Sequence, residues 1–178
     1  MKEPSRTAGV RRAFLGLGSN LGDRQRFLET ALARIDQLPA TALRRTSSLY
    51  ETEPWGGVPQ PAYLNLVAEI ETGLGPEALL AEVLRIEREM GRVRTVRWGP
   101  RIIDVDLLWM EGEARQTPEL TLPHPRLVER AFVLVPLAEL DAHLLVRGRP
   151  VAAWLAELPR SEGDVVRVSG PLRPGFRS

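Results

Sequence analysis

YLNLVAEIETGLGPEALLAEVLRIEREM, residues 63–90 of this 178-residue chain, decides the fold, because a strand, a Gly-Pro punctuation and a helix follow one another directly. Tyr63 to Thr72 alternates in the manner of a half-buried strand. Gly75 and Pro76 then open a helix that runs to about Met90, proline being suited to a first helical turn where its missing N–H costs nothing. Downstream, RVRTVRWGPRIIDVDLL, residues 92–108, leads through an arginine-rich loop into a strand over Ile102–Met110. Upstream, Met1–Arg11 reads as a loose leader and Arg12–Leu17 as a short strand that breaks at the glycine-rich turn GLGSNLGDR. A helix over Asp23–Leu38 follows, with Phe27, Leu28, Ala31, Leu32, Ile35 and Leu38 at helical spacing and Pro39 ending it. Leu43–Tyr50 is a further strand, and Glu51–Ala62, with three prolines and two adjacent glycines, is an irregular loop.

The order strand, helix, strand, strand, helix, strand predicts an α+β, ferredoxin-like βαββαβ core: a mainly antiparallel sheet with both helices on one face. After Pro118, LTLPHPRLVERAFVLVPLAEL reads as a loop, a short helical turn and an apolar segment, and Val151–Leu158 as one more short helix. The length suits one domain over residues 1–178, with a core at about 12–158.

Composition narrows the chemistry. The chain has no cysteine, which excludes disulfides, zinc thiolates and thiol nucleophiles. No apolar run reaches the length of a membrane span, and the polar, basic start is unlike a secretory signal, so no membrane is expected and a cytoplasmic location is. The net charge of +1 hides a local excess: between Arg85 and Arg101 stand Arg85, Arg88, Arg92, Arg94, Arg97 and Arg101 against Glu87 and Glu89. A patch that compact suits a small anionic ligand better than a nucleic-acid groove, which needs a longer basic stripe.

Within the last strand of the core, Ile103, Val105 and Leu107 point one way and Asp104 and Asp106 the other, about 7 Å apart along the strand. Two convergent carboxylates suit Mg²⁺, which takes one or two protein carboxylates and completes its shell with water and phosphate oxygens. Arg92, Arg94, Arg97 and Arg101 would meet the remaining phosphate charge with rigid, permanently protonated forks. The plainer alternative makes both aspartates polar residues on the wet face of an edge strand. GLGSNLGDR misses the dinucleotide-binding spacing and has no Walker lysine, so a tight turn with Asp23 or Asn20 capping the helix stands beside direct ligand contact.

Glu87 falls on the stripe of Leu80, Val83 and Leu84, near a helix end where negative charge is disfavoured; a salt bridge to a loop arginine and a ligand role both explain it. Tyr63 and Asn65 share one side of their strand and suit a flat heterocycle, with core packing as the alternative. His124, bracketed by Pro123 and Pro125, is presented rigidly, either to a phosphate or for structure alone.

These motifs together resemble the 6-hydroxymethyl-7,8-dihydropterin pyrophosphokinase family of folate biosynthesis. The resemblance rests on LGLGSNLGDR, SSLYETEPWG with QPAYLNLV, RIEREMGRVRTVRWGPRIIDVDLL and LTLPHPRLVERAFVLVPL, in family order from Phe14 to about Leu140. It implies transfer of the terminal pyrophosphate of ATP to the pterin hydroxymethyl group with release of AMP, organised by two Mg²⁺ ions on Asp104 and Asp106. It also implies a pterin ring between Tyr63 and Phe132, with Asn65 and the backbone around Thr52 and Trp55 at its edge. Glu87, Arg92, Arg94, Trp98, Arg101, His124 and Arg130 match positions around ATP; Arg92 and Arg94, with the two aspartates, are the expected catalytic groups.

Two departures fall in loops: Glu53 replaces a frequent proline, and Pro125 stands where an aromatic residue is common. Loops that close over two substrates move, so Glu51–Ala62 and Arg92–Arg97 are expected to be mobile without ligand. The expected partners are ATP and the pterin alone, with no nucleic acid, and the expected state is a monomer. Two rivals remain: a nucleic-acid-binding ferredoxin-like module, which leaves the aspartate pair unexplained, and a Mg²⁺-dependent phosphotransferase acting on another heterocyclic alcohol.

Overall fold

A computed structural model describes residues 9–53, 59–91, 102–159 and 165–172. Five strands form the spine of one antiparallel sheet: β1 (Arg11–Ser19), β3 (Ser48–Thr52), β4 (Tyr63–Thr72), β5 (Asp104–Met110) and β10 (Val165–Pro171). Their order is β10-β3-β4-β1-β5, and β2 (Thr41–Thr46) also pairs with β4. β1 is therefore an inner strand, hydrogen-bonded to β4 on one side and β5 on the other. This is the expected ferredoxin-like order with one strand added at the edge.

Helices α1 (Arg24–Asp36) and α2 (Pro76–Glu89) cover one face of the sheet. Asp23 caps α1, its carboxylate accepting from the Arg26 N–H at 3.2 Å, and α2 starts with Pro76. Leu28, Leu32 and Ile35 of α1 and Leu79, Val83 and Ile86 of α2 pack on Ala13, Leu15, Leu17 and Val105 of the strands. The buried stripe of α2 is thus rotated from the expected one, and Leu84 points outward with 37% of its surface exposed. Leu32→Ala removes a fully buried side chain from this layer and is expected to cost about 2–5 kcal/mol, as a cavity in a rigid core does; urea unfolding with an unchanged m-value checks it.

The opposite face carries α3 (Ala131–Asp141) and α4 (Val151–Glu157), joined to the sheet by Phe14, Val67 and Leu108. The apolar segment after Arg130 is therefore a helix. It has no polar stripe to announce it, and Pro136 lies inside it. Short pairs complete the described elements: β6 (Arg115–Gln116) with β7 (Thr121–Leu122), and β8 (Leu145–Val146) with β9 (Arg149–Pro150). A 3-10 turn at Leu127–Glu129 precedes α3, and the Leu122–Pro123 peptide is cis.

Two strand expectations and the expected end of the core need correction. The stretch Leu43–Tyr50 is two strands, broken at Ser47. The Ser47 N–H donates to the Val67 carbonyl while its hydroxyl accepts from the Val67 N–H, so a side chain occupies a ladder position. Nor does β1 stop at Leu17, because Gly16 and Gly18 are both paired to neighbours on either side. Finally, β10 extends the sheet past residue 158, on the free side of β3. Among the described residues, no helix is long and apolar enough to cross a membrane.

Candidate active site

A cavity of about 340 Å³ opens on the α3 side of the sheet. Its floor is the glycine stripe of β1. Gly18 is paired with Asn65 on β4 and Asp104 on β5; Gly16 is paired with Val67 and Asp106. Missing side chains at two alternate positions leave bare backbone between an amide on one strand and two carboxylates on the other. Thr52, Glu53 and Tyr63 extend the Asn65 side, while His124, Pro125, Arg126, Arg130, Phe132 and Val133 close the cavity from the α3 layer.

Alternation on β5 falls as expected. Ile103, Val105 and Leu107 pack under the helices, whereas Asp104 and Asp106 line the cavity. Glu87 does not line it. Only 3% exposed, it accepts the Val105 N–H at 2.8 Å, so it braces the backbone between the two aspartates. Among the described residues, no three acidic or histidine side chains cluster as a metal cage. The donor set is two carboxylates lining one cavity, which fits Mg²⁺ because this ion keeps several waters and substrate phosphate oxygens.

On the other wall, the Asn65 side-chain amide donates to the Thr52 hydroxyl at 2.6 Å, fixing its orientation. Tyr63 and Phe132 line the same cavity, and the Arg130 guanidinium lies 5.3 Å from the Phe132 ring centroid. Burial holds the Arg130 pKa below the ordinary guanidinium value; the charge of Asp106 works against that fall. Arg130 thus carries its charge into the cavity within electrostatic reach of an aspartate.

His124 is held twice. Its N–H donates to the Leu108 carbonyl at 2.8 Å, and its Nδ1 accepts from the Arg126 N–H at 3.2 Å. The proton of the neutral ring therefore sits on Nε2, making His124 a donor. Burial first, then the charges of Arg130 and Arg126, lower its pKa from 6.5 to about 4. Between those values the unfolded chain takes up a proton that the folded protein refuses. Stability from this group is therefore fully present above pH 6.5 and falls as pH drops towards 4. His124→Asn is expected to flatten that part of the profile of thermal midpoint against pH; an unchanged slope would count against the assignment.

The loop before β4 is tied down by residues of the glycine-rich turn. Asn20, 1% exposed, donates to the Gln60 side chain at 2.7 Å and the Pro61 carbonyl at 3.1 Å. Arg24 adds a bond to the Ala62 carbonyl at 2.9 Å and an ion pair with Glu51 at 3.0 Å. Asp23 alone is the helix cap. Sequence reasoning missed this role of Asn20, and it missed Gly16, Gly18, Leu108, Arg126 and Val133 as cavity walls. The glycine pair on alternate positions of a strand was the available signal. Trp55, Arg92, Arg94, Trp98 and Arg101, with most of the arginine-rich loop, lie outside the described residues, as does part of the Glu51–Ala62 loop.

Residues 14–142 match the family model of 7,8-dihydro-6-hydroxymethylpterin-pyrophosphokinase. A 2-amino-4-hydroxy-6-hydroxymethyldihydropteridine pyrophosphokinase of Bacillus subtilis (strain 168) is 48% identical over 128 residues, covering 72% of this chain and 77% of that protein. One from Methylorubrum extorquens is 45% identical over 150 residues, covering 84% of this chain and 95% of that protein. A crystal structure of Plasmodium falciparum HPPK-DHPS with pterin and p-hydroxybenzoate shares the fold, with a TM-score of 0.65 at 16% identity over 86% of this chain. This chain spans 42% of that longer one. The paired carboxylates, the amide wall and the matched residues agree: the chain belongs to the 6-hydroxymethyl-7,8-dihydropterin pyrophosphokinase family.

Proposed function

We propose that the glycine-floored cavity is where the two substrates of this enzyme meet, the pterin ring lying between Tyr63 and Phe132 and the ATP phosphates beside Asp104 and Asp106. The reaction is that of the family: the terminal pyrophosphate of ATP passes to the hydroxymethyl group of 6-hydroxymethyl-7,8-dihydropterin, and AMP leaves. The pterin hydroxyl oxygen forms a bond to the β-phosphorus as the bond from that phosphorus to the bridging oxygen of AMP breaks. What carries the placement is the register of β1, since Gly18 sets Asn65 and Asp104 on either side of one open backbone position.

Each residue then has a physical task. Asn65 and Thr52 present a pre-oriented polar edge to the heterocycle. His124 offers an uncharged Nε2–H to a phosphate oxygen, and Arg130 a guanidinium, so the pair stabilises charge on the phosphates without reorganising. Arg92, Arg94, Trp98 and Arg101 serve the nucleotide, and the backbone near Trp55 serves the pterin. Asp104 and Asp106 would hold two Mg²⁺ ions, which supply Lewis-acid charge to the phosphates when bound. Glu87 acts through the backbone it braces. The chain works as a single domain over residues 1–178, as a cytoplasmic monomer; light scattering at 19.8 kDa checks the monomer.

Phosphorus NMR of the purified protein with Mg²⁺, ATP and the pterin tests the reaction. AMP and a pterin diphosphate should appear together and only when pterin is present; ADP instead would mean ordinary phosphoryl transfer and defeat the reading.

A further inference from the structure

Glu139 follows Phe132 by seven residues on α3, two helical turns along, so the two side chains leave the same face of the helix. Phe132 meets the cavity and Glu139 meets β3. The Ser48 N–H donates to both carboxylate oxygens of Glu139 at 3.0 Å, the Ser48 hydroxyl to one at 2.9 Å, and the Tyr50 hydroxyl to the other at 2.6 Å. Ser48 and Tyr50 alternate along β3 with Leu49, which packs in the other layer, so they share a face with Thr52. Tyr50 is paired with Asn65, and Thr52 with Tyr63. The strand that Glu139 grips is thus the one carrying Asn65's hydrogen-bond partner.

The neighbouring residues make the grip firm. The carbonyl of Leu140 accepts from Arg45 on β2 at 2.9 Å, and Asp141 accepts from Arg12 on β1 at 3.1 Å. Three consecutive residues at the end of α3 are therefore tied to three different strands. Burial alone would push the Glu139 carboxyl up, but the bonds from Tyr50 and Ser48, with the charge of Arg167, hold its pKa below the ordinary value. Burial first, and then the same contact, raise Tyr50 to about 12, so the phenol stays a donor. Nothing in the transfer reaction uses this carboxylate.

We propose that Glu139 is a positioning residue, whose hydrogen bonds to Ser48 and Tyr50 set the gap between Phe132 on α3 and Tyr63 on β4 that receives the pterin ring. This rests on the slot reading given above. A flat ring in contact with both walls needs them about 7 Å apart, twice the carbon–carbon optimum of roughly 3.5 Å, and a gap wider by about 0.5–1 Å forfeits a quarter to a half of the attraction. A helix whose far end is fixed by charge-assisted bonds holds that tolerance better than one held by apolar contact alone, because directional bonds resist sliding.

The test is calorimetric binding of 6-hydroxymethyl-7,8-dihydropterin in the presence of a saturating non-hydrolysable ATP analogue and Mg²⁺, with analogue binding measured separately. Glu139→Gln should weaken the pterin about tenfold and the analogue by no more than about threefold, because Phe132 is one of two walls of the slot whereas Arg130, at the start of the same helix, is one of several groups proposed for the phosphates. Tyr50→Phe should weaken it by less, and the double variant should be no worse than Glu139→Gln, as expected for two ends of one contact. Leu32→Ala, in the other layer, supplies the control for lost stability and should leave pterin affinity within about twofold of wild type. A folded Glu139→Gln protein that binds pterin like wild type overturns the proposal, as does parallel loss of pterin and nucleotide affinity tracking the thermal midpoint. If Glu139→Gln does not fold, wild-type affinity in Tyr50→Phe overturns it. Wild-type protein that fails to bind pterin overturns the slot reading as well, which separates the two failures.

Discussion

Asp106→Ala is expected to cut turnover by about a thousandfold or more, with Asp104→Ala close to it, while the protein stays folded. A metal-held polyphosphate draws several kcal/mol of charge stabilisation from its ions, and about 4 kcal/mol corresponds to a thousandfold in rate. Both aspartates line the cavity, on the face of β5 away from α1 and α2. Their removal therefore leaves the packing of Ile103, Val105 and Leu107 untouched. Steady-state release of AMP at saturating substrates, paired with calorimetric titration of Mg²⁺ and ATP, reads the effect. Turnover within tenfold of wild type in a folded variant would remove the metal assignment.

Gly18→Ala should be nearly as damaging, for a steric reason. A Cβ at Gly18 would stand 2.6 Å from the Asn65 Oδ1 and 3.4 Å from a Tyr63 ring carbon. The first distance is impossible, and Asn65 has little freedom to give because its amide is bonded to Thr52 in a buried setting. Asn65 must swing away from the position in which it lines the cavity and, as proposed, meets the heterocycle. Misplacement of a positioning group by about 1 Å can cost on the order of a hundredfold, and that is the expected fall in kcat/KM for the pterin. Nucleotide affinity should stay within about threefold, since the neighbouring glycines give the phosphates no side chain to lose. Gly16→Ala is the comparison: its Cβ would meet Leu108 at 3.4 Å, a contact the side chain can absorb, so a loss under about tenfold is expected. Equal damage from both substitutions would place the sensitivity in the strand rather than in Asn65.

Patterns local in sequence were readable before any coordinates. The alternation of Tyr63–Thr72, the proline that starts α2 and the out-pointing aspartates of β5 each depend on neighbours within a few residues. What escaped depends on partners far along the chain. The break at Ser47 exists because of Val67, the buried role of Asn20 because of Gln60 and Pro61, and the bracing role of Glu87 because of a backbone N–H on β5. α3 escaped for another reason: packed between the sheet and α4, it is apolar on most sides and interrupted by Pro136, so no helical period shows. β10 lies past the expected core limit because its pairing depends on the edge of β3, far back along the chain. Of the residues the resemblance named, Thr52, Tyr63, Asn65, Asp104, Asp106, His124, Arg130 and Phe132 line one cavity, whereas the glycine floor needed the register of three strands.

The second layer, α3 with α4, has a consequence for assembly. By Met110 the chain holds every strand of the ferredoxin-like core, including Asn65 and both aspartates; Phe132 and Arg130 are synthesised later. A growing chain can therefore close its sheet before it has any enclosed place for a substrate. Docking of the last third completes the enclosure, and substrates bound there as proposed would favour the docked state by mass action, by about 2.7 kcal/mol at a hundred times Kd. The ligands thus hold together the part of the protein that encloses them.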